Sequence, residues 1–247
     1  MPDIDAPDPA ASHPLLVTTE WLAAHLGDPR LVLVDVSEPV AYERAHIEGA
    51  VGVPHPWLKG AADPNLVMPA ADFEALARRW GVTADSVVIF HDDHLNRAAA
   101  RGWWVAERYG LGRAARAAGG IDGARVLDGG LHAWIAERRP VTQVVPHPAL
   151  GTFEAREHPE AFCTLKDVRD ALHPAAGVQI WDVRSDEEYT GASARGNRRA
   201  GHVPGAIHLE WTAFVDDTPS HRFVPLEDAR RRLAEAGINP EAVTVTY

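Results

Sequence analysis

Asp182, Arg184 and Glu188 lie within seven residues of one another, and Arg195, Arg198 and Arg199 follow before residue 200. A carboxylate, a helix start over residues 185–189 and a run of guanidinium groups suit a site for a small oxyanion. Arginine offers a planar fork of donors that matches such anions. Asp182, Arg184, Glu188, Arg198 and Arg199 are therefore the candidate substrate-binding residues, with Asp182 positioning either a reactive loop or Arg184. The plainer alternative is a solvated helix turn and a solvated loop. A nucleophile is harder to find. Cys163 is the single cysteine; it precedes a helix start at Thr164 but follows no long apolar strand, so it is expected to be structural or incidental. The histidines pair with no Asp or Cys at a metal-site spacing. His46 and His202 sit in matching turns and are expected to bond to backbone.

Asp182 closes an apolar run, 178–183, and Asp35 closes another, 31–36. Continuous apolar runs of this length suit strands buried on both faces of a parallel sheet. Further strands are expected at 52–54, 86–90, 125–127 and 242–247. Helices are expected at 20–26, 39–45, 72–80, 97–109, 131–138, 166–172, 185–189 and 226–236. Residues 55–69 read as a loop and 110–124 as an irregular, Gly- and Ala-rich excursion. Alternating strands and helices imply an α/β fold with parallel sheets flanked by helices.

The chain is acidic, with a formal net charge of −11 over 247 residues, and its only lysines are Lys59 and Lys166. A nucleic-acid protein would need a basic face, and any anion site here must be local. Residues 1–13 hold three prolines, three aspartates and no basic residue. They fit neither a secretory signal nor a transit peptide and are expected to form a disordered tail. No apolar run approaches the roughly 20 residues of a membrane span. One cysteine cannot form an intramolecular disulfide, which fits a cytoplasmic location.

The chain repeats itself. GVTADSVVIFH at 81–91 aligns without a gap on GINPEAVTVTY at 237–247, an offset of 156, and His46 and His202 share that offset. Asp35 and Asp182, like Tyr42 and Tyr189, are 147 apart. The difference places a nine-residue insertion between Tyr189 and His202, and it carries Arg195, Arg198 and Arg199. The organisation expected is a tail at 1–13, a first domain at 14–142, a linker at 143–160 and a second domain at 161–247. The second copy has no counterpart of residues 92–138 and is expected to be incomplete at its C-terminal side.

IWDVRSDEEY (180–189) followed by GHVPGA (201–206), with AARGWW (99–104) and VLDGGLHAW (126–134), resembles the tandem rhodanese-type sulfurtransferases, over nearly all of 15–247. The resemblance implies a catalytically empty first domain, in keeping with a loop at 92–97 that has no cysteine. It implies a second domain whose cysteine directly follows the strand ending at Tyr247. That cysteine would carry sulfane sulfur from thiosulfate or 3-mercaptopyruvate as a persulfide to cyanide or a thiol. No metal or organic cofactor, nucleic acid or membrane partner is implied. Relatives of the mercaptopyruvate type resemble one another in carrying arginine at the place of Glu188, so the acidic residue favours thiosulfate. A binding or regulatory module without a nucleophile, and a phosphatase-like relative with a longer loop, are the alternatives.

Overall fold

The computed structural model describes residues 3–63, 66–111, 123–173 and 177–247; the excursion expected over 110–124 falls almost wholly outside them. Two compact units emerge. One comprises Met1–Ala161 with Asp217–Phe223, the other Phe162–Asp216 with Val224–Tyr247.

The first unit is built on β1 (Leu16–Val17), β2 (Leu31–Asp35), β3 (Val51–Gly52), β4 (Val87–His91) and β5 (Ala124–Leu127). They form a five-stranded sheet in the order β1-β5-β4-β2-β3, parallel throughout. Its helices are α1 (Thr19–His25), α2 (Pro39–Arg44), α3 (Ala70–Arg79), α4 (Arg97–Arg108) and α5 (Gly130–Ala136). Both faces of the sheet are covered, which explains the unbroken apolar runs. Val32, Val34, Val88, Phe90 and Val126 point to one side, against Phe73, Leu76 and Ala77 of α3 and Ala98, Ala99 and Val105 of α4. Leu33, Val87, Ile89 and Leu127 point to the other, against Trp21 and Leu22 of α1 and Leu131 and Trp134 of α5. Helix α4 can lie this close because of Gly102. A Cβ there would stand 2.7 Å from the Phe90 ring.

The second unit holds α6 (Leu165–Ala171), β6 (Gln179–Asp182), α7 (Asp186–Thr190), β7 (Ile207–His208), α8 (Leu226–Ala236) and β8 (Thr244–Thr246). Its described sheet is three-stranded and parallel, β7-β6-β8, the same arrangement as β3-β2-β4. Asp35 is in register with His91 and Gly52. Asp182 is in register with His208, and Trp181 with Thr246. The repeat read in the sequence is thus a repeat of strand positions.

Three stretches depart from expectation. Residues 3–13 do not form a disordered tail. Ile4 is fully buried among the α1 and α5 side chains. Asp8 accepts from the N–H and hydroxyl of Thr18 at 2.7 and 2.6 Å. Buried Arg125 donates to the carbonyls of Ile4, Asp5 and Ala6. Low hydrophobicity was outweighed by one isoleucine and a distant arginine. The stretch 143–160 is no free linker either. Gly151 donates to Arg78 O, Phe153 donates to Val82 O, and the Phe153 ring joins the core. Finally, Asp217–Phe223 packs with the first unit, where Phe223 N–H donates to Asp128 Oδ1 at 2.7 Å and Asn96 Nδ2 to His221 O at 2.8 Å.

The buried Ile4 yields a test. Ile4→Ala should cost about 2–5 kcal/mol, the usual range for emptying a core isoleucine, in urea unfolding followed by tryptophan fluorescence. A value within error of zero would restore the disordered tail.

Candidate functional site

Strand C-termini in an open parallel sheet are where α/β proteins form sites, and each unit ends a central strand there with a buried aspartate. In the first, Asp35 accepts from Ser37 N–H at 2.9 Å, and His91 Nε2 is 3.9 Å from its other oxygen. In the second, Asp182 accepts from Arg184 N–H at 3.0 Å in the same two-residue turn. The Arg184 side chain then folds back on it, Nε to Oδ1 at 2.9 Å and Nη2 to Oδ2 at 2.6 Å. Nη2 also donates to Gly201 O at 3.0 Å, and the guanidinium stacks on the Tyr247 ring, 5.0 Å from its centre.

Tyr247 follows β8 and was not singled out in the sequence. Its oxygen accepts from Val203 N–H at 2.8 Å, and its hydroxyl acts electrostatically on Asp182. Burial works against the Asp182 carboxylate, but Arg184 and the Tyr247 hydroxyl outweigh it and hold its carboxyl below the usual range. Burial lifts the Tyr247 phenol, with the Val203 N–H opposing and Asp182 adding to the rise. His208, also missed, sets Nε2 on Arg184 O at 2.9 Å and Nδ1 at 3.3 Å from Asp186. A signal existed for both. At the offset of 156 they stand opposite His91 and Gly52, so the two copies differ at these strand ends.

The other predicted residues separate into two groups. Glu188, on α7, joins Arg184 and Arg195: its oxygens lie 3.9 Å from Arg184 Nη1 and 3.4 Å from Arg195 Nε. Arg198 and Arg199 are exposed on the loop beyond. Arg184 is therefore largely committed to Asp182 and Gly201, whereas Arg198 and Arg199 stay open to solvent. His46 and His202 are posed alike, each stacked on its tyrosine and turned with Nδ1 to that tyrosine's carbonyl at 2.8 Å. The pose recurs in both copies and belongs to the turn.

The first unit also shows what a loop after such a strand can hold. Asp92 follows β4 and is buried, and its carboxylate sits in a cradle of N–H groups. It accepts from His94 and Asn96 at 2.9 and 3.0 Å and from Ala99, in the first turn of α4, at 2.9 Å. Leu95 and Asn96 adopt left-handed backbone, with φ of 58° and 61°, and such a turn aims successive amides at one point. At the offset of 156, Tyr247 is the counterpart of His91, the residue before Asp92. Cys163 has no comparable setting. It is exposed, and Thr164 and Asp167 cap each other at the start of α6. Among the described residues no group of three or more His, Cys, Asp or Glu side chains is placed to hold a metal ion. No described helix is long and apolar enough to cross a membrane.

The description "Rhodanese-like domain" matches residues 18–137 and again 164–247. The chain belongs to the rhodanese-like family. Thiosulfate sulfurtransferase of Azotobacter vinelandii is 34% identical, over 97% of this chain and 84% of that one. The Pseudomonas aeruginosa protein of the same name is 32% identical, over 95% and 82%. The crystal structure of SseA from Escherichia coli, described with the mechanism of 3-mercaptopyruvate sulfotransferases, superposes with a TM-score of 0.79 at 25% identity, over 94% and 87%. The tandem rhodanese architecture expected from the motifs is thereby shown.

Asp182 gives a prediction with a pH sign. Its carboxyl titrates below its unfolded value, so its contribution is complete above about pH 4 and is lost as pH falls through the lowered value. Asp182→Asn should cost on the order of 1.5–3 kcal/mol at neutral pH and little in strong acid, measured by urea unfolding at each pH. An equal loss at both would remove the carboxylate from the argument.

Proposed function

We propose that the protein is a sulfurtransferase whose donor is thiosulfate, with chemistry in the second unit. The family match over both units supports sulfur transfer. Glu188 carries the choice of donor. Its carboxylate, between Arg184 and Arg195, stands where a guanidinium would be needed to clasp the carboxylate of an organic donor. Arg198 and Arg199 remain available for the compact oxyanion end of thiosulfate.

In this reading the sulfur carrier is a cysteine thiolate at the position following Tyr247, where a cradle like that around Asp92 would lower the thiol pKa. The thiolate attacks the outer sulfur of thiosulfate. The S–S bond breaks, sulfite leaves with its electron pair, and the enzyme holds a persulfide. Cyanide then attacks the outer persulfide sulfur, thiocyanate departs, and the thiolate returns. A thiol acceptor would take the sulfur in the same way. Asp182, Arg184 and Tyr247 brace the strand end, and the cradle amides stabilise the anion in both states. The first unit is the empty copy, its cradle filled by Asp92. A second reading, 3-mercaptopyruvate as donor, has the likeness to SseA in its favour.

The deciding measurement, on a chain that includes the loop following Tyr247, is thiocyanate formation from cyanide, with thiosulfate and with 3-mercaptopyruvate. Faster turnover with thiosulfate is expected; the reverse order would establish the second reading, and inactivity with both would sink sulfur transfer from these donors. Cys163→Ser should keep the activity, since that thiol lies outside the proposed site. Replacing Arg198 and Arg199 together by alanine should raise the thiosulfate KM roughly 10- to 150-fold and leave the melting temperature nearly unchanged, because exposed charges add little to folding.

A further inference from the structure

We propose that Glu188 is a built-in competitor for the donor: its carboxylate occupies the space between the Arg184 and Arg195 guanidinium groups that an incoming oxyanion would otherwise take. The contacts are those of a displaceable anion. Asp182 holds Arg184 at 2.6 and 2.9 Å, the range of strong charge-assisted bonds. Glu188 stands at 3.9 Å from Arg184 and 3.4 Å from Arg195, with the Ser185 hydroxyl at 3.3 Å. Arg184 approaches it with Nη1, the terminal nitrogen not bonded to Asp182 or Gly201. Arg195 comes from the insertion, its side chain 64% exposed while that of Glu188 is 16% exposed. The carboxylate therefore lies on the inner side of an exposed cation, Arg195, and faces Arg184, which Asp182 holds in place.

The remaining charges explain why a resident anion matters. Asp182 neutralises Arg184, and Glu188 neutralises Arg195, while exposed Arg198 and Arg199 continue the positive run. Asp186 and Glu187 are exposed on the same helix turn. Removing the Glu188 charge leaves Arg195 uncompensated beside Arg198 and Arg199. The first copy has none of this. Ser37 and Ala41 stand at the places of Arg184 and Glu188, and the insertion is absent. The arrangement is thus particular to the copy that carries the anion chemistry, and it makes donor binding an exchange of one anion for another. Such a device weakens retention of a dianionic product as well as binding of the donor.

The inference rests on the proposed function only in naming thiosulfate as the donor; sulfate, which cannot transfer sulfur, probes the anion site by itself. Binding of sulfate and of thiosulfate would be measured by amide chemical shifts for the parent, Glu188→Gln and Glu188→Asp. Glu188→Gln should bind both anions roughly 5- to 10-fold more tightly, the effect of removing one negative charge about 6 Å from a dianion near the surface, with shifts at Arg184 and Arg195. Glu188→Asp keeps the charge and should stay within about twofold of the parent. If the amide disturbs α7, Glu188→Ala removes the same charge and should show the same gain. Unchanged or weaker sulfate binding in both neutral variants overturns the proposal, as does an equal gain in Glu188→Asp. Tighter sulfate binding without sulfur transfer would uphold it and count against the sulfurtransferase reading alone.

Discussion

A carboxylate buried at the end of a central strand calls for its charge to be met, and that demand organises the strand-end site of the second unit. A buried charge left unpaired is far more costly than an exposed one. Asp35 is met by a backbone N–H on one oxygen, while the other lies 3.9 Å from His91 Nε2, beyond hydrogen-bond reach. Asp182 is met by the backbone and side chain of Arg184, with the Tyr247 hydroxyl adding to the electrostatic stabilisation. Each of those partners then fixes something else. Arg184 ties down the Gly201 carbonyl, and Tyr247 ties down the Val203 amide. The turn over residues 201–206 and the ends of β6 and β8 are thereby bolted to one ion.

Two units with the same strand order solve the same geometric problem with different chemistry. Beyond β4 the first copy turns sharply through Leu95 and Asn96 and fills the resulting cradle with its own Asp92. The second copy gathers guanidinium groups beside β6 and places a glutamate among them. In both, a local excess of donors is answered by a carboxylate from the chain itself. A protein of net charge −11 can therefore build anion-seeking spots without an overall positive field.

Much of this was legible in the residues. Continuous apolar runs marked the central strands because both faces of the sheet are covered. The two offsets of the repeat foretold matching strand positions, and Asp182 with Arg184 stood out at a strand end. What stayed hidden depends on contacts distant in sequence. Ile4 lies in a stretch of Pro and Asp, and the arginine that pins it is more than a hundred residues away. Segment Asp217–Phe223 has no pattern announcing that Asp128 and Asn96 will hold it. Tyr247 reads as the end of an apolar strand, and only the register of β6 with β8 puts its ring under Arg184. Arg184 looked like a donor to substrate; its two-residue distance from Asp182 lets it satisfy its own neighbour first.

The occupied cradle of the first copy acts as a ratchet on its history. Asp92 is bonded by three backbone amides, so any replacement strands donors that now have a partner. A thiol placed there would still lack the braces of the other copy, for Ser37 stands where Arg184 does and Gly52 where His208 does. Gly52 cannot readily change either, since a Cβ there would come within 2.9 Å of the Tyr42 ring. Giving the first copy the site of the second would need several coordinated substitutions. The two copies share a strand order but are held in different chemistries by contacts that no single substitution exchanges.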